Sequence, residues 1–140
     1  MKILCLDIGT KRIGVAISDP MGITAQALST IRREDDEGVA SSIKRLLQEE
    51  AVKEVIIGLP LNMDGSRGPQ ADKAVSFADF LSKKIGIPIK MWDERMSTLQ
   101  VERIMIKAGT SRQKRKRKID QLAAQVILQS YLNSRSAERD

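Results

Sequence analysis

The chain has 140 residues, no histidine and one cysteine, Cys5. Internal disulfides, zinc sites of cysteine and histidine, serine–histidine triads and cysteine–histidine dyads are thereby excluded. Acid–base or metal chemistry has to rest on Asp and Glu, with Lys or Tyr as outsiders. Cys5 sits inside an apolar run and reads as a small core residue. Aromatic residues are few: Trp92, Tyr131, Phe77 and Phe80. That scarcity argues against a platform on which successive bases of a single strand stack, and Trp92 reads as a packing residue. No apolar run approaches the roughly 20 residues of a membrane-spanning helix. Met1-Lys2 leads directly into a short apolar strand without the pattern of a signal peptide, so a reducing, cytoplasmic setting is expected.

What is present is ordinary for a soluble globular domain: 41% hydrophobic and 30% charged residues. The length predicts one domain, placed at residues 1–133, with a polar tail at 134–140 expected to fray. The net charge of +6 is distributed unevenly. Residues 1–100 carry 14 basic and 14 acidic side chains, whereas residues 101–140 carry 10 and 4. Most of the excess is one run: Arg112, Lys114, Arg115, Lys116, Arg117 and Lys118. Mutual repulsion predicts a solvated, extended loop there. Such a run suits sequence-independent contact with a phosphate backbone, driven by counterion release; a plain solvated surface is the alternative.

The element pattern has two halves. Residues 2–7, 12–18 and 23–31 read as strands joined by short turns, an antiparallel meander. After Asp35-Asp36 the period becomes helical, with Val39, Ile43, Leu46 and Leu47 on one stripe. Val52 to Ile57 is a buried strand stopped by Gly58-Leu59-Pro60. Ala71 to Ile85 is a second amphipathic helix closed by Gly86, and Ile87 to Trp92 a fifth strand. Ser97 and Gln100 form a capping-box pattern for a third helix through Leu99, Ile104 and Met105, ended by Gly109. A last helix begins after the basic run, with Ile119, Leu122, Ala123, Val126, Ile127 and Leu132 apolar. The expected fold is α/β: a five-stranded mixed sheet, three antiparallel strands then βαβ crossovers, flanked by helices.

Three acidic positions stand out. Asp7 ends the first strand, Asp93-Glu94 ends the fifth, and Asp120 opens the last helix. Ligands bind at the carboxyl ends of parallel strands in open sheets. Ala123 and Ala124, three and four residues beyond Asp120, would let that helix approach the sheet closely. Converging carboxylates repel unless a cation neutralises them. With only hard oxygen donors, that cation would be Mg²⁺ or Mn²⁺, and two ions about 4 Å apart would suit in-line displacement at a phosphodiester. The loop Gly65-Ser66-Arg67-Gly68 could hold a phosphate through backbone N–H groups and Arg67, or simply connect a strand to a helix.

Four ordered segments resemble the motifs of the YqgF family, also called RuvX. They are residues 7–16 (Asp-Ile-Gly-Thr-Lys-Arg-Ile-Gly-Val-Ala), residues 58–66 (Gly-Leu-Pro-Leu-Asn-Met-Asp-Gly-Ser), residues 93–98 (Asp-Glu-Arg-Met-Ser-Thr), and Ile119-Asp120 with Ala123-Ala124, Ile127-Leu128-Gln129 and Tyr131-Leu132. The resemblance implies an RNase H-like fold related to Holliday-junction resolvases. It implies a hydrolase that processes the 5′ end of pre-16S rRNA during ribosome biogenesis, with Holliday-junction resolution as a second activity attached to the family. It implies Asp7, Glu94 and Asp120 as the catalytic, metal-binding acids, supported by Lys11, Arg12, Arg95 and Thr98. In related resolvases the second acid ends the strand beside the first. Here that strand ends in Gly58-Leu59-Pro60, so Glu94 would have to reach across from the next strand, over a glycine. Asp93 is the alternative ligand, since adjacent strand residues point to opposite faces.

Two other readings compete. A non-catalytic RNA-binding factor of ribosome assembly would bind nucleic acid without needing Asp7. Asp7-Ile8-Gly9-Thr10 before a hairpin also resembles the first phosphate loop of the actin and sugar-kinase superfamily, which needs two such domains to enclose ATP. The expected partners are structured RNA such as precursor rRNA, a pre-ribosomal particle, or branched DNA.

Overall fold

A computed structural model gives one mixed sheet with helices on both faces; it describes residues 1–97 and 112–139, and side chains over 1–97 and 122–137. The strands are β1 (Lys2–Ile8), β2 (Arg12–Ser18), β3 (Ala25–Arg32), β4 (Val52–Leu59) and β5 (Ile89–Asp93). Their spatial order is β3-β2-β1-β4-β5. β1 and β2, and β2 and β3, pair antiparallel; β1 and β4, and β4 and β5, pair parallel. Helices α1 (Asp36–Glu49) and α2 (Pro69–Ser82) are the crossovers; a 3₁₀ turn at Glu94–Met96 and helix α3 (Arg112–Arg139) are the last of the described elements. No helix among the described residues is long and apolar enough to cross a membrane.

β1 is central and buried on both faces, which explains its unbroken apolar run. Leu4 and Leu6 point into a core with α1 and α2, formed with Val39, Ile43, Ala74, Phe77 and Leu81. Ile3 and Cys5 point the other way, into a core with Ala123, Ala124, Ile127, Leu128, Tyr131 and Leu132 of α3. Each fully buried Leu or Ile contributes about 1.5–3 kcal/mol of transfer free energy. Local chemistry sets the helix starts. Asp35 caps α1 by accepting from the Gly38 N–H at 2.6 Å, and Asp36 and Glu37 suit the positive end of the helix dipole. Pro69 opens α2, where its missing N–H has no partner to lose.

The structure departs from the sequence expectations at several element ends; α2, expected over Ala71–Ile85 and closed by Gly86, runs Pro69–Ser82. β3 starts at Ala25, because Asp19 gathers the N–H groups of Met21, Ile23 and Thr24 into the preceding turn. β4 runs on through Leu59, since Gly58 and Leu59 pair with Trp92 and Asp93; only Pro60 stops it. β5 begins after Pro88 and includes Asp93. The basic run is helix, not extended loop: α3 starts at Arg112. Lys and Arg are good helix formers, and a helix nucleated on the packed stripe from Ala123 to Leu132 propagates outward at little cost per residue. The tail expected to fray from residue 134 is helical through Arg139. There the Arg135 guanidinium lies 5.6 Å from the Tyr131 ring centroid and 3.6 Å from Glu54. The helix expected over residues 97–109 lies outside the described residues, apart from Ser97.

Candidate active site

The parallel strands β1, β4 and β5 bring their carboxyl ends to one edge of the sheet. Strand alternation settles which side chains face α3 there. Ile3 and Cys5 face α3, so Asp7 does too. Asp7 stands opposite Gly14 on β2, and the β1–β4 register places Gly58 on its other side. A partly exposed carboxylate is thus flanked by two residues without side chains.

Glu94 enters from the 3₁₀ turn after β5. It is only 1% exposed. Its carboxylate lies over Gly58: a Cβ placed on that glycine would sit 3.2 Å from Glu94 Oε2. The Glu94 side chain thus extends from the turn after β5 across the end of β4. Asp93 has a different fate. Its carboxylate accepts from Arg95 Nε at 3.1 and 3.0 Å and from Nη2 at 2.8 Å, and caps the Arg95 N–H at 2.9 Å. The Arg95 side chain holds the Asp93 carboxyl below the usual carboxylate range. Beneath the site, burial pushes the Cys5 thiol up, and the negative charges of Asp7 and Glu94 push it further. Cys5 stays a neutral core residue.

Residue 120 lies on α3 one turn before Ala123 and Ala124, which are 0% and 2% exposed against the sheet. Its own side chain is outside the described residues. So are Thr98 and the side chains of Arg112, Lys114, Arg115, Lys116, Arg117 and Lys118, although residues 112–118 form the first turns of α3. Among the described residues, no three acidic, cysteine or histidine groups stand close enough to hold a metal ion.

The basic residues divide. Lys11 and Arg12 are exposed at the β1–β2 turn, beside the end that carries Asp7. That turn is tight because the Gly9 N–H donates to Arg12 O at 3.0 Å; any Cβ on Gly9 would fall 2.5 Å from that oxygen. Arg95 is taken up by Asp93 and by Met63 O, to which Nη1 donates at 3.2 Å. Arg67 pairs with Asp72 at 3.0 Å. Its loop is closed on itself: the Gly65 N–H donates to Asn62 O and the Ser66 N–H to Asp64. The Gly65 and Ser66 N–H groups are thus engaged within the loop.

Sequence reasoning passes over several residues that hold the site together. Arg33 donates to Gly9 O at 3.1 Å, pairs with Asp36 and lies over the Phe77 ring, bracing the turn that bears Lys11. Gln125 and Gln129 of α3 bond the backbone of Ala25 and Ile23. Ser130 Oγ accepts from Trp92 Nε1 at 3.2 Å and donates to Met96 O at 2.9 Å. Trp92 packs edge-on against Tyr131, as a packing residue should. Apart from the local Arg33–Asp36 pair, none of these partnerships has a signature in local spacing.

The family model described as "RuvX: Holliday junction resolvase" matches residues 1–134. The chain belongs to the RuvX family. Among RuvX relatives, a protein of Halothermothrix orenii named "Putative pre-16S rRNA nuclease" is 52% identical over 133 residues, covering 95% of each chain. One of the same name from Clostridium acetobutylicum is 47% identical over 134 residues, covering 96% of this chain and 99% of its own. In fold, the RuvX chain is similar to T. thermophilus RuvC solved with a Holliday junction substrate, with a TM-score of 0.57 at 13% identity, covering 97% of this chain and 96% of that one. That likeness shows the RNase H-like architecture expected from the motifs.

Proposed function

We propose that this RuvX chain is a metal-dependent nuclease that hydrolyses phosphodiester bonds at the edge formed by β1, β4 and β5, acting on precursor 16S rRNA at its 5′ end in the cytoplasm. The observation that carries the reading is the Glu94 carboxylate, buried over Gly58 on the face that also bears Asp7. Two carboxylates brought to one end and one face of the sheet suit a bound cation, which offsets their mutual repulsion. The donor set fits a hard ion: oxygen ligands only, no histidine, and a cysteine kept neutral in the core. Asp7, Glu94 and Asp120 would hold Mg²⁺ or Mn²⁺, as two ions. When bound, such ions supply Lewis-acid stabilisation of the charge that builds on the phosphate during in-line displacement.

The chain's own residues do the rest. Asp7 sits on β1 and Glu94 on the 3₁₀ turn that directly follows β5, so both donors are carried by one sheet. Lys11 and Arg12 flank the site and attract the phosphate backbone, and the cations of residues 112–118 extend that attraction along α3. The names borne by the relatives support RNA as the substrate class. The RuvC-like fold keeps the four-way junction as the substrate to test against it.

The test is cleavage of a labelled pre-16S rRNA fragment and a four-way DNA junction side by side. Cutting of the rRNA fragment that stops with EDTA supports the proposal. Cutting confined to the junction replaces the substrate and keeps the chemistry. Binding of RNA without cutting, in either metal, replaces the nuclease with an assembly factor.

A further inference from the structure

We propose that Gly58 is a positioning residue: its missing side chain is the space that holds the Glu94 carboxylate in place. This rests on the reading of Glu94 as a catalytic acid. Gly58 lies within β4, paired with Trp92, where glycine weakens a strand. Its backbone does not call for glycine either, since Gly22 and Gly65 are the described glycines with positive φ. The remaining reason is room. A Cβ there would fall 2.9 Å from Ile127 Cδ1, 3.2 Å from Glu94 Oε2 and 3.3 Å from Glu94 Cγ. Carbon atoms pack best at about 3.5–4.0 Å, so both neighbours would have to give. The Ile127 methyl is a packing partner alone. Glu94 is the partner whose position matters to chemistry, and with both Cγ and Oε2 crowded, turning the carboxylate does not relieve it.

The test compares Gly58→Ala, Ile127→Val, the double variant and Glu94→Gln, with thermal unfolding and kcat and KM on the same labelled rRNA fragment. Misplacing a group by 1 Å costs about 10²-fold in rate; a shift of a few tenths predicts a kcat roughly tenfold lower in Gly58→Ala, with KM little changed. Ile127→Val removes Cδ1, so the double variant should recover the unfolding temperature of Ile127→Val without recovering kcat. A double variant whose kcat returns to that of Ile127→Val overturns the proposal, because Gly58 then serves packing only. So does Gly58→Ala with wild-type kcat, while loss of cleavage in Glu94→Gln leaves the reading of Glu94 intact. Cleavage that persists in Glu94→Gln overturns that reading and this proposal with it.

Discussion

Arg95 grips both carboxylate oxygens of Asp93, while the next residue, Glu94, turns inward over Gly58. Two adjacent acids are thereby sorted into different work. Asp93 ties the turn after β5 to the loop at Met63 through Arg95, and Glu94 faces Asp7's side of the sheet. Asp93→Asn should cost about 1 kcal/mol of stability or less, as partly exposed ion pairs do, and leave cleavage within a few-fold. Glu94→Gln should remove cleavage. Paired unfolding and activity measurements decide it; the reverse pattern would make Asp93 the functional acid.

The first turns of α3 set six cations at the positive end of a helix dipole, with no acid in the first turn. Replacing Lys114, Arg115, Lys116, Arg117 and Lys118 by glutamine should weaken binding to all sequences alike. The slope of log K against log salt should become shallower by about 0.9 for each duplex phosphate no longer neutralised, or about 0.7 for single strands. Titration at several salt concentrations reads this directly, and an unchanged slope would remove the basic segment from the interface. The same variant should gain helix by circular dichroism at low salt, since like-charge repulsion and the dipole penalty both disappear.

Ala123 and Ala124 let α3 lie close against the sheet near the site. Ala123→Leu should cost about 1–3 kcal/mol through overpacking and lower cleavage beyond what the stability loss explains, because it displaces the helix that carries residue 120. Activity measured well below the unfolding temperature separates the two effects.

Asp19 accepts from the backbone N–H groups of Met21, Ile23 and Thr24. The Thr24 bond is the largest cause holding its carboxyl below the usual range. A carboxyl lowered on folding stabilises the native state above its unfolded value of about 3.9, and that contribution fades as pH falls through the lower native value. Asp19→Ala should therefore lower the unfolding temperature at pH 7, and the gap from wild type should narrow as the pH drops below about 4. A gap independent of pH would assign the loss to the turn geometry alone.

Much of the fold is legible in the sequence because two periodicities carry it. The continuous apolar run of β1 and the helical stripes at Val39–Leu47 and Ala71–Leu81 each have one good solution. The strand ends are less so. The extension of β4 through Gly58 depends on pairing with β5, which is tertiary and leaves no local mark. The basic run reads as extended chain when repulsion is weighed without the helix that continues into it. In the site, Asp7 and Glu94 are visible as acids at strand ends. The glycine that Glu94 would pass over is visible too; the Arg95 clamp on Asp93 is not, and only geometry shows it. Arg33, Gln125, Gln129 and Ser130 act through partners 24 to 106 residues away in sequence, which local spacing does not reveal.

The most direct measurement is cleavage of the labelled rRNA fragment with Mn²⁺, Mg²⁺ or EDTA by wild type, Asp7→Asn, Glu94→Gln and Asp120→Asn, with RNA affinity measured alongside. The account predicts metal-dependent cutting by wild type, none by the three variants, and RNA affinity equal or higher once the carboxylate charge is gone. Cutting that survives in all three variants, or that proceeds undiminished in EDTA, would contradict it.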